Sequence, residues 1–270
     1  MVTPEQKEQC AVYVEQTFKV SHARACKLVS CSRTTKYYNK KMPIKDARLV
    51  ELISQVIGSS QRGRKKVIPL VLKKDPKQSA FRIRRVYTQS GYSLFKRPRK
   101  RIANNQPNPA QVPLMANEEW AIDFMYDSLV TGRAIRSLNI IDPFNRVCKG
   151  IYIKHSFAAK SLIESLEQAI EKHGKPKFIR TDNGPEFISK AFQLWMHKNG
   201  IKWHAIEKGK PQQNCFIERF NRTAREEFFD LNLFRDLQQA NELAGVYLNE
   251  YNDYRPHESL LNQTPSQYAA

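Results

Sequence analysis

Residues 178–187 have the sequence FIRTDNGPEF, in which a short apolar segment is followed at once by acidic and turn-forming residues. Phe178 to Thr181 has the length and the aliphatic and aromatic character of a strand. Asp182-Asn183-Gly184-Pro185 has the composition of a turn. This pattern predicts that Asp182 lies at the carboxyl end of a strand, where the functional sites of α/β sheets gather.

The segments on either side predict a mixed sheet flanked by helices. Upstream, three runs rich in aliphatic and aromatic residues are separated by short turns and predict a meander of strands. Downstream, helical and strand patterns alternate, in the order expected of an α/β domain. The predicted strands are 120–125, 134–141, 147–153, 178–181 and 201–205, and the predicted helices are 158–172, 190–199, 214–229 and 237–251.

Three carboxylates are candidates for one site. Asp123 interrupts an apolar strand, where a carboxylate is costly to bury; Asp182 follows another strand, and Glu218 lies on the helix that begins near Asn214. The 35 residues between Asp182 and Glu218 are enough for a helix and a strand to return the chain. Taken singly, each acid has an ordinary alternative as the partner of an arginine, a turn residue or a solvated helix position. Asp142 and Glu186 are further candidates for metal ligands, but we favour structural roles for both.

Oxygen ligands without a matching set of His and Cys predict a hard cation, Mg²⁺ or Mn²⁺. Two such ions support in-line displacement at a phosphodiester, so we predict two ions and phosphodiester chemistry. The face of the Glu218 helix and the loop before it supply candidate phosphate contacts, although ion pairs of the arginines with Glu218 and Glu226 are the alternative. These contacts are Lys208, Lys210, Asn214, Arg222 and Arg225.

The charge is concentrated in the first part of the chain. The whole chain has 45 Lys and Arg against 26 Asp and Glu, a net charge of +19. Residues 1–115 have 25 basic and 6 acidic residues, whereas the remainder has 20 of each. A surplus of this size indicates a polyanionic partner, and solvated charged surface is the alternative. The predicted phosphate contacts in this part are Arg64, Lys65, Lys66, Arg82, Arg84, Arg85, Arg97, Arg99, Lys100 and Arg101.

Short helical patterns open the chain. Ser21 and Ser32 have the character of N-caps, and helices over 5–18, 22–29 and 32–38 form a helix-turn-helix outline. Base-edge contacts would come from the start of the last helix, and a packed helical hairpin is the alternative. Further helices are predicted over 47–57, 66–73 and 78–89. The predicted base-edge contacts are Arg33, Thr34, Thr35 and Lys36.

Composition divides the chain and excludes some protein classes. A basic stretch rich in Pro and Asn predicts a linker over 96–117, between a helical DNA-binding region (1–95) and a core with C-terminal helices (118–270). No apolar run approaches the length of a membrane span, and no signal peptide is recognisable at the start. The five cysteines include no Cys-x-x-Cys pair and predict reduced thiols in a cytoplasmic protein.

Several motifs resemble a known family. Asp123, Asp182 and Glu218 with the 35-residue gap resemble the DDE triad of retroviral integrases and related transposases, which have an RNase H-like fold. The downstream motifs resemble more narrowly the OrfB transposases of the third insertion-sequence family. These motifs are Asp182 to Phe187, Gly209-Lys210-Pro211 with Asn214, Glu218-Arg219-Phe220-Asn221, Arg225, Tyr251-Asn252-x-Tyr254-Arg255-Pro256-His257-x-Ser259-Leu260, and Thr264-Pro265-x-x-Tyr268.

The resemblance implies an α/β, RNase H-like catalytic core preceded by an all-helical helix-turn-helix DNA-binding region. It implies a DDE transposase that cleaves element ends and transfers the 3′ hydroxyl into DNA, with double-stranded DNA as the partner. We expect action with OrfA or as an OrfA–OrfB fusion, a homo-oligomer on DNA and a nucleoid-associated location in a bacterium, without membrane contact. The His-His-Cys-Cys module of retroviral integrases has no counterpart here, which predicts no zinc. A DNA-binding regulator with an inactive core and an RNase H-like nuclease that never joins ends are the alternatives.

Overall fold

A five-stranded mixed sheet organises residues 119–205. Its strands are β1 (Glu119–Ser128), β2 (Ala134–Ile141), β3 (Cys148–Lys154), β4 (Phe178–Thr181) and β5 (Lys202–Ala205). The spatial order is β3-β2-β1-β4-β5. β2 pairs antiparallel with both β1 and β3, whereas β4 runs parallel to β1 and to β5. The predicted meander is therefore confirmed, and each predicted strand differs from the observed one by three residues or fewer at either end.

The computed structural model describes residues 4–34, 41–58, 62–94, 112–207 and 211–270. Its helices before the sheet are α1 (Pro4–Phe18), α2 (His22–Val29), α3 (Lys41–Ile57), α4 (Arg64–Lys74) and α5 (Ala80–Gln89). Those within and after the sheet are α6 (Ala159–His173), α7 (Pro185–Ile188), α8 (Lys190–Lys198), α9 (Cys215–Glu227), α10 (Leu237–Asn249) and α11 (Pro265–Ala269).

The chain divides into two units, Met1–Glu51 and Leu52–Ala270. The predicted domain bounds of 1–95, 96–117 and 118–270 stay a prediction, and most of the linker lies outside the described residues. Within the second unit, α4 pairs with the C-terminal part: Lys66 contacts Glu227, and Lys65 Nζ lies 2.8 Å from Glu258 Oε1. Among the described helices, none combines the length and apolar character that crossing a membrane requires.

The N-terminal helices follow local signals closely. Ser21 Oγ accepts a hydrogen bond from the backbone N–H of Arg24, and Ser30 ends α2 in the left-handed conformation with φ of 55°. Both features are common terminators of short helices. Residues 35–38 of the predicted third helix lie outside the described residues, and Arg33 and Thr34 lie in a 3₁₀ turn before that gap.

Two apolar cores cover the two faces of the sheet. Successive side chains of a strand point to opposite faces, so Trp120 and Ile122 of β1 join the core beneath α6 and α8. Ala121 and Met125 join the other core, beneath α9 and α10. The stripe predicted on the Glu218 helix is confirmed, because it packs into this second core; its residues are Ile217, Phe220, Ala224 and Phe228.

Two short helices are not predicted by the periodicity of the sequence. α7 has four residues and α11 has five, too few to display a repeat of 3.6 residues. Pro185 and Pro265 occupy their first turns, where the missing N–H of proline costs nothing. The predicted helix 237–251 ends as α10 at Asn249 and continues as a π-type turn, Glu250–Tyr254.

Two asparagine side chains form hydrogen bonds with the backbone of the edge strand β3. The Asn252 amide accepts from the Cys148 N–H and donates to the Cys148 carbonyl, both at 2.9 Å. Asn241 of α10 makes the same pair of bonds with Ile153, at 3.0 and 2.9 Å. Unpaired edge groups invite pairing with another chain, and these amides occupy such groups at both ends of β3.

We expect Asn252→Ala to destabilise the protein by about 2–4 kcal/mol, since it leaves a buried N–H and a buried C=O without partners. Asn241→Ala is the matched control. Its side chain is more exposed, so water can replace the lost bonds and the expected loss is smaller. Denaturant unfolding of both variants measures the difference. Equal losses would contradict this account of Asn252.

Candidate active site

Asp123 lies in the middle of β1 and faces the core beneath α9. Its side chain shares this face with Ala121 and Met125, which are buried. Asp123 Oδ1 accepts from the N–H of Phe124 at 2.8 Å, and Oδ2 accepts from Asn221 Nδ2 at 2.9 Å. Since Asn221 belongs to α9, the helix that carries Glu218 is hydrogen-bonded to the strand that carries Asp123.

A chain of polar side chains supports this contact. Ser137 Oγ donates to Asn139 Oδ1 at 2.6 Å, and Asn139 Nδ2 donates to Asn221 Oδ1 at 2.7 Å. Ser137 and Asn139 are buried on β2, and Asn139 is the register partner of Asp123. The amide of Asn221 is therefore held by Asn139 on one side and holds Asp123 on the other.

Asp182 follows β4 directly, as predicted. Its Oδ1 accepts from the N–H of Gly184 at 3.1 Å, and the side chain is exposed. A Cβ atom at Gly184 would lie 3.1 Å from this oxygen, so glycine allows the turn to close around the carboxylate. Glu218 is exposed in the first turn of α9.

The charges of Asp182 and Glu218 act on Asp123. Burial, together with these two charges, raises the pKa of Asp123 to about 6, against the opposing effect of its two hydrogen bonds. Within the described ranges, no three His, Cys, Asp or Glu side chains lie close enough to form a ready-made metal site. The oxygen donors and their uncompensated charge fit a hard divalent cation.

Comparisons with known proteins relate this chain to integrase-core proteins. Two models described as "Integrase core domain" match residues 113–211 and 199–265. The chain is 32% identical to the "Insertion element IS407 uncharacterized 31.7 kDa protein" of Burkholderia multivorans, over 95% of this chain and 93% of that protein. It is 30% identical to the "Insertion element IS476 uncharacterized 39.2 kDa protein" of Xanthomonas euvesicatoria, over 100% of this chain and 78% of that protein.

The chain belongs to the insertion-sequence transposases with an integrase core. It is 27% identical to the "Putative transposase InsK for insertion sequence element IS150" of Escherichia coli, over 87% of this chain and 89% of that protein. A simian T-cell lymphotropic virus intasome structure shares the fold, with a TM-score of 0.54, 18% identity and coverage of 80% of this chain and 74% of that chain. The predicted DNA transposase/integrase activity and the integrase-like, RNase H-like core are thus confirmed, and divalent metal use is consistent with the family.

In the transposase, the partly exposed Arg225 side chain contacts protein groups. Its guanidinium pairs with Asp127 and donates to the Tyr126 carbonyl, both near the end of β1, and it lies 5.1 Å from the ring centre of Phe229. Its place on the polar helix face predicts a phosphate contact for Arg225. The structure shows an ion pair with Asp127 that braces α9 to β1, and the phosphate contact stays a prediction.

Lys66 and Lys65 are also paired within the protein. The Lys66 ammonium contacts Glu227, and burial and the nearby Arg255 lower its pKa. Lys65 pairs with Glu258 in an exposed position. A basic run that appears free in the sequence is here partly neutralised by acids of the C-terminal region. The sequence gives no sign of these partners, since they lie 161 and 193 residues away.

The other predicted DNA contacts differ in exposure. Arg222 and Arg84 are exposed, whereas Asn214 is 5% exposed and is buried against the fold. Arg82 Nη1 donates to Gln78 at 3.1 Å, and Arg85 Nη1 donates to Gln89 at 3.0 Å, along α5. Arg33, Thr34 and Arg64 are described, with the first two exposed. Outside the described residues lie Thr35, Lys36, Arg97, Arg99, Lys100, Arg101, Lys208 and Lys210.

The acids given structural roles have protein partners. Asp142 is fully buried, accepts from the N–H groups of Asn117 and Phe144, and lies 3.7 Å from Lys149 Nζ. Glu186 pairs with Arg136. These contacts occupy both carboxylates.

Sequence reasoning missed the roles of Ser137, Asn139 and Asn221. A signal exists: positions 135, 137, 139 and 141 face the same side of β2, and two polar residues interrupt its apolar pattern. A polar interruption on a core-facing side indicates buried hydrogen bonding.

We expect Asp123→Asn to stabilise the metal-free transposase at pH 7 by about 1–2 kcal/mol, because it removes a buried charge at the cost of one hydrogen bond. The Asp123 pKa is about 6 against 3.8 without the fold, so the penalty is complete above pH 6 and vanishes below pH 3.8. The gain should shrink as the pH falls towards 4. Thermal unfolding without divalent ions at several pH values measures it, with the exposed Asp230→Asn as control. A gain that is absent at pH 7, or constant with pH, would contradict the raised pKa.

Proposed function

We propose that Asp123, Asp182 and Glu218 are the catalytic carboxylates of this transposase and hold two Mg²⁺ or Mn²⁺ ions. The observation that carries the proposal is the partly buried Asp123 carboxylate, which is hydrogen-bonded to the helix of Glu218 and has a pKa raised by desolvation and by both other acids. A bound cation would offset the cost of a charged carboxylate at a position that is shielded from water. The absence of zinc stays a prediction.

We propose cleavage at the element ends followed by transfer of the 3′ hydroxyl into target DNA. Bound divalent ions would supply positive charge at the scissile phosphate and favour the ionised form of the attacking oxygen. Asn221 holds Asp123 in one orientation, and Asp182 and Glu218 extend from β4 and α9 towards solvent, where a DNA backbone has access. Exposed Arg222, one turn beyond Glu218, is placed to contact a phosphate.

We propose double-stranded DNA as the partner of the transposase, both at element ends and at the target. Action with OrfA or as a fusion with it, and oligomerisation on DNA, belong to the same proposal and rest on the family. The basic surplus of residues 1–115 supports DNA binding, since a protein that neutralises phosphates gains affinity by releasing counterions. The structure that shares the fold is an intasome of a simian T-cell lymphotropic virus, in complex with PP2A regulatory subunit B56 gamma.

Asp182→Asn and Glu218→Gln should each abolish cleavage of element-end DNA, because each removes a charged oxygen ligand while leaving the volume unchanged. Glu226→Gln, an exposed change on the same helix as Glu218, is the control and should retain cleavage. The assay combines purified transposase, OrfA, Mg²⁺ or Mn²⁺ and labelled ends, scored for cleaved and joined products.

The remaining outcomes of this assay distinguish the alternative functions. Metal-dependent cleavage by either triad variant would remove that residue from the site. Cut but never joined products from the wild-type protein would favour the nuclease alternative. Binding without any cleavage under these conditions would favour the DNA-binding regulator.

DNA affinity should fall steeply with salt, and Arg84→Ala should reduce the slope of log K against log[salt] by about 0.9, the value for one phosphate contact. Lys66→Met is the matched control on α4, because its ammonium is already paired with Glu227. That variant should lower stability and leave the slope unchanged. Fluorescence anisotropy at several salt concentrations measures both slopes. A larger change for Lys66→Met than for Arg84→Ala would reverse the assignment.

A further inference from the structure

Arg180 of β4 connects β1, which carries Asp123, to the turn that precedes α9, the helix of Glu218. Its Nη2 lies 2.8 Å from Glu119 Oε1 and donates to Oε2 at 3.1 Å. Its Nη1 donates to the backbone carbonyl of Gln213 at 2.6 Å. Glu119 lies on β1, four residues before Asp123; Arg180 lies on β4, two residues before Asp182; and Gln213 precedes Glu218 by five residues.

The pair is sheltered from water. The side chains of Arg180 and Glu119 are 11% and 6% exposed. Buried ion pairs keep a fixed geometry better than exposed ones, because neither partner can exchange freely for water. His204 of β5 adds a third contact, with Nδ1 at 2.8 Å from Glu119 Oε2. The Glu119 carboxylate therefore receives groups from two neighbouring strands.

The backbone pairing of the sheet sets the positions of Asp123 and Asp182 relative to each other without the Arg180–Glu119 pair. Backbone register places Ala121 opposite Arg180 and so sets β1 against β4. α9 follows a loop after β5, and its start depends on side-chain contacts. Besides Arg180, these include the Gln213 side chain, which accepts from the N–H of Glu207 and donates to its Oε1, both at 3.1 Å.

We propose that Glu119 and Arg180 are positioning residues: they set the place of Glu218 relative to Asp123 and Asp182, and thereby the affinity of the three carboxylates for divalent ions. This inference rests on the proposed catalytic role of the three acids. An arginine suits the task because its planar guanidinium offers separate N–H groups to two acceptors at once. A lysine ammonium can keep the pair with Glu119 but is a single point charge without the fork.

The test is Mn²⁺ binding to the full-length transposase without DNA, measured by electron paramagnetic resonance of free Mn²⁺. Arg180→Lys should weaken binding about tenfold, within the range for groups that orient metal ligands. The thermal midpoint should change little, because the charge and the pair with Glu119 remain. At saturating Mn²⁺, cleavage by Arg180→Lys should recover more than at low Mn²⁺, which a loss of stability alone would not produce.

Lys149→Gln is the matched control. It breaks another buried ion pair, in which Lys149 and Asp142 are 7% and 0% exposed, away from the three acids in sequence and strand position. It should lower the thermal midpoint and leave Mn²⁺ affinity unchanged. Wild-type Mn²⁺ affinity in folded Arg180→Lys, or a loss no larger than that of Lys149→Gln, would overturn the inference. If Arg180→Lys does not fold, Glu119→Gln decides by the same criterion.

Failure of this inference can be separated from failure of the proposed function. Asp182→Asn tests the site itself in the same binding experiment. If Asp182→Asn binds Mn²⁺ as the wild type does, the three-carboxylate site is wrong. If Asp182→Asn loses binding while Arg180→Lys keeps it, the site stands and the positioning role is wrong.

Discussion

The hydrogen bond from Asn221 to Asp123 is the contact on which the arrangement of the site depends. A carboxylate in the middle of a strand at the centre of the sheet pays a desolvation penalty, which appears as the raised pKa of Asp123. The fold offsets part of that penalty with one backbone N–H and one amide, and the amide comes from α9. The same bond that solvates Asp123 therefore brings the helix of Glu218 against β1.

Other polar contacts hold α9 along its length. Arg225 braces it to the end of β1 through Asp127 and Tyr126. At its C-terminal end, Glu227 pairs with Arg255, whose Nε lies 2.8 Å away, and with Lys66 of α4. These contacts join the helix of Glu218 to the C-terminal region and to a helix upstream of the sheet. They also give Lys66 and Arg225 partners within the protein, whereas contacts of these two residues with DNA stay predictions.

Residues 251–257 of the C-terminal motif also make structural contacts. Asn252 hydrogen-bonds to the backbone of β3, and Arg255 forms an ion pair with Glu227. The ring centres of Tyr251 and Phe220 of α9 lie 4.9 Å apart. Burial and the charge of Arg255 lower the pKa of His257 to about 3, so it is neutral near pH 7. The motif thus covers one edge of the sheet and fixes the helix that carries Glu218, while Glu218 itself is exposed in the first turn of that helix.

The sequence by itself determined the strands, most helices and the three acids, because these features depend on local composition and periodicity. The apolar segment before Asp182, the polar interruption at Asp123 and the helical stripe beside Glu218 are visible within a few residues of each acid. Only the tertiary structure decided the partners: Asn221 for Asp123, Asp127 for Arg225, Glu227 for Lys66 and Glu119 for Arg180. A charged side chain can pair with any opposite charge that the fold brings within about 4 Å, and sequence spacing does not specify which one arrives.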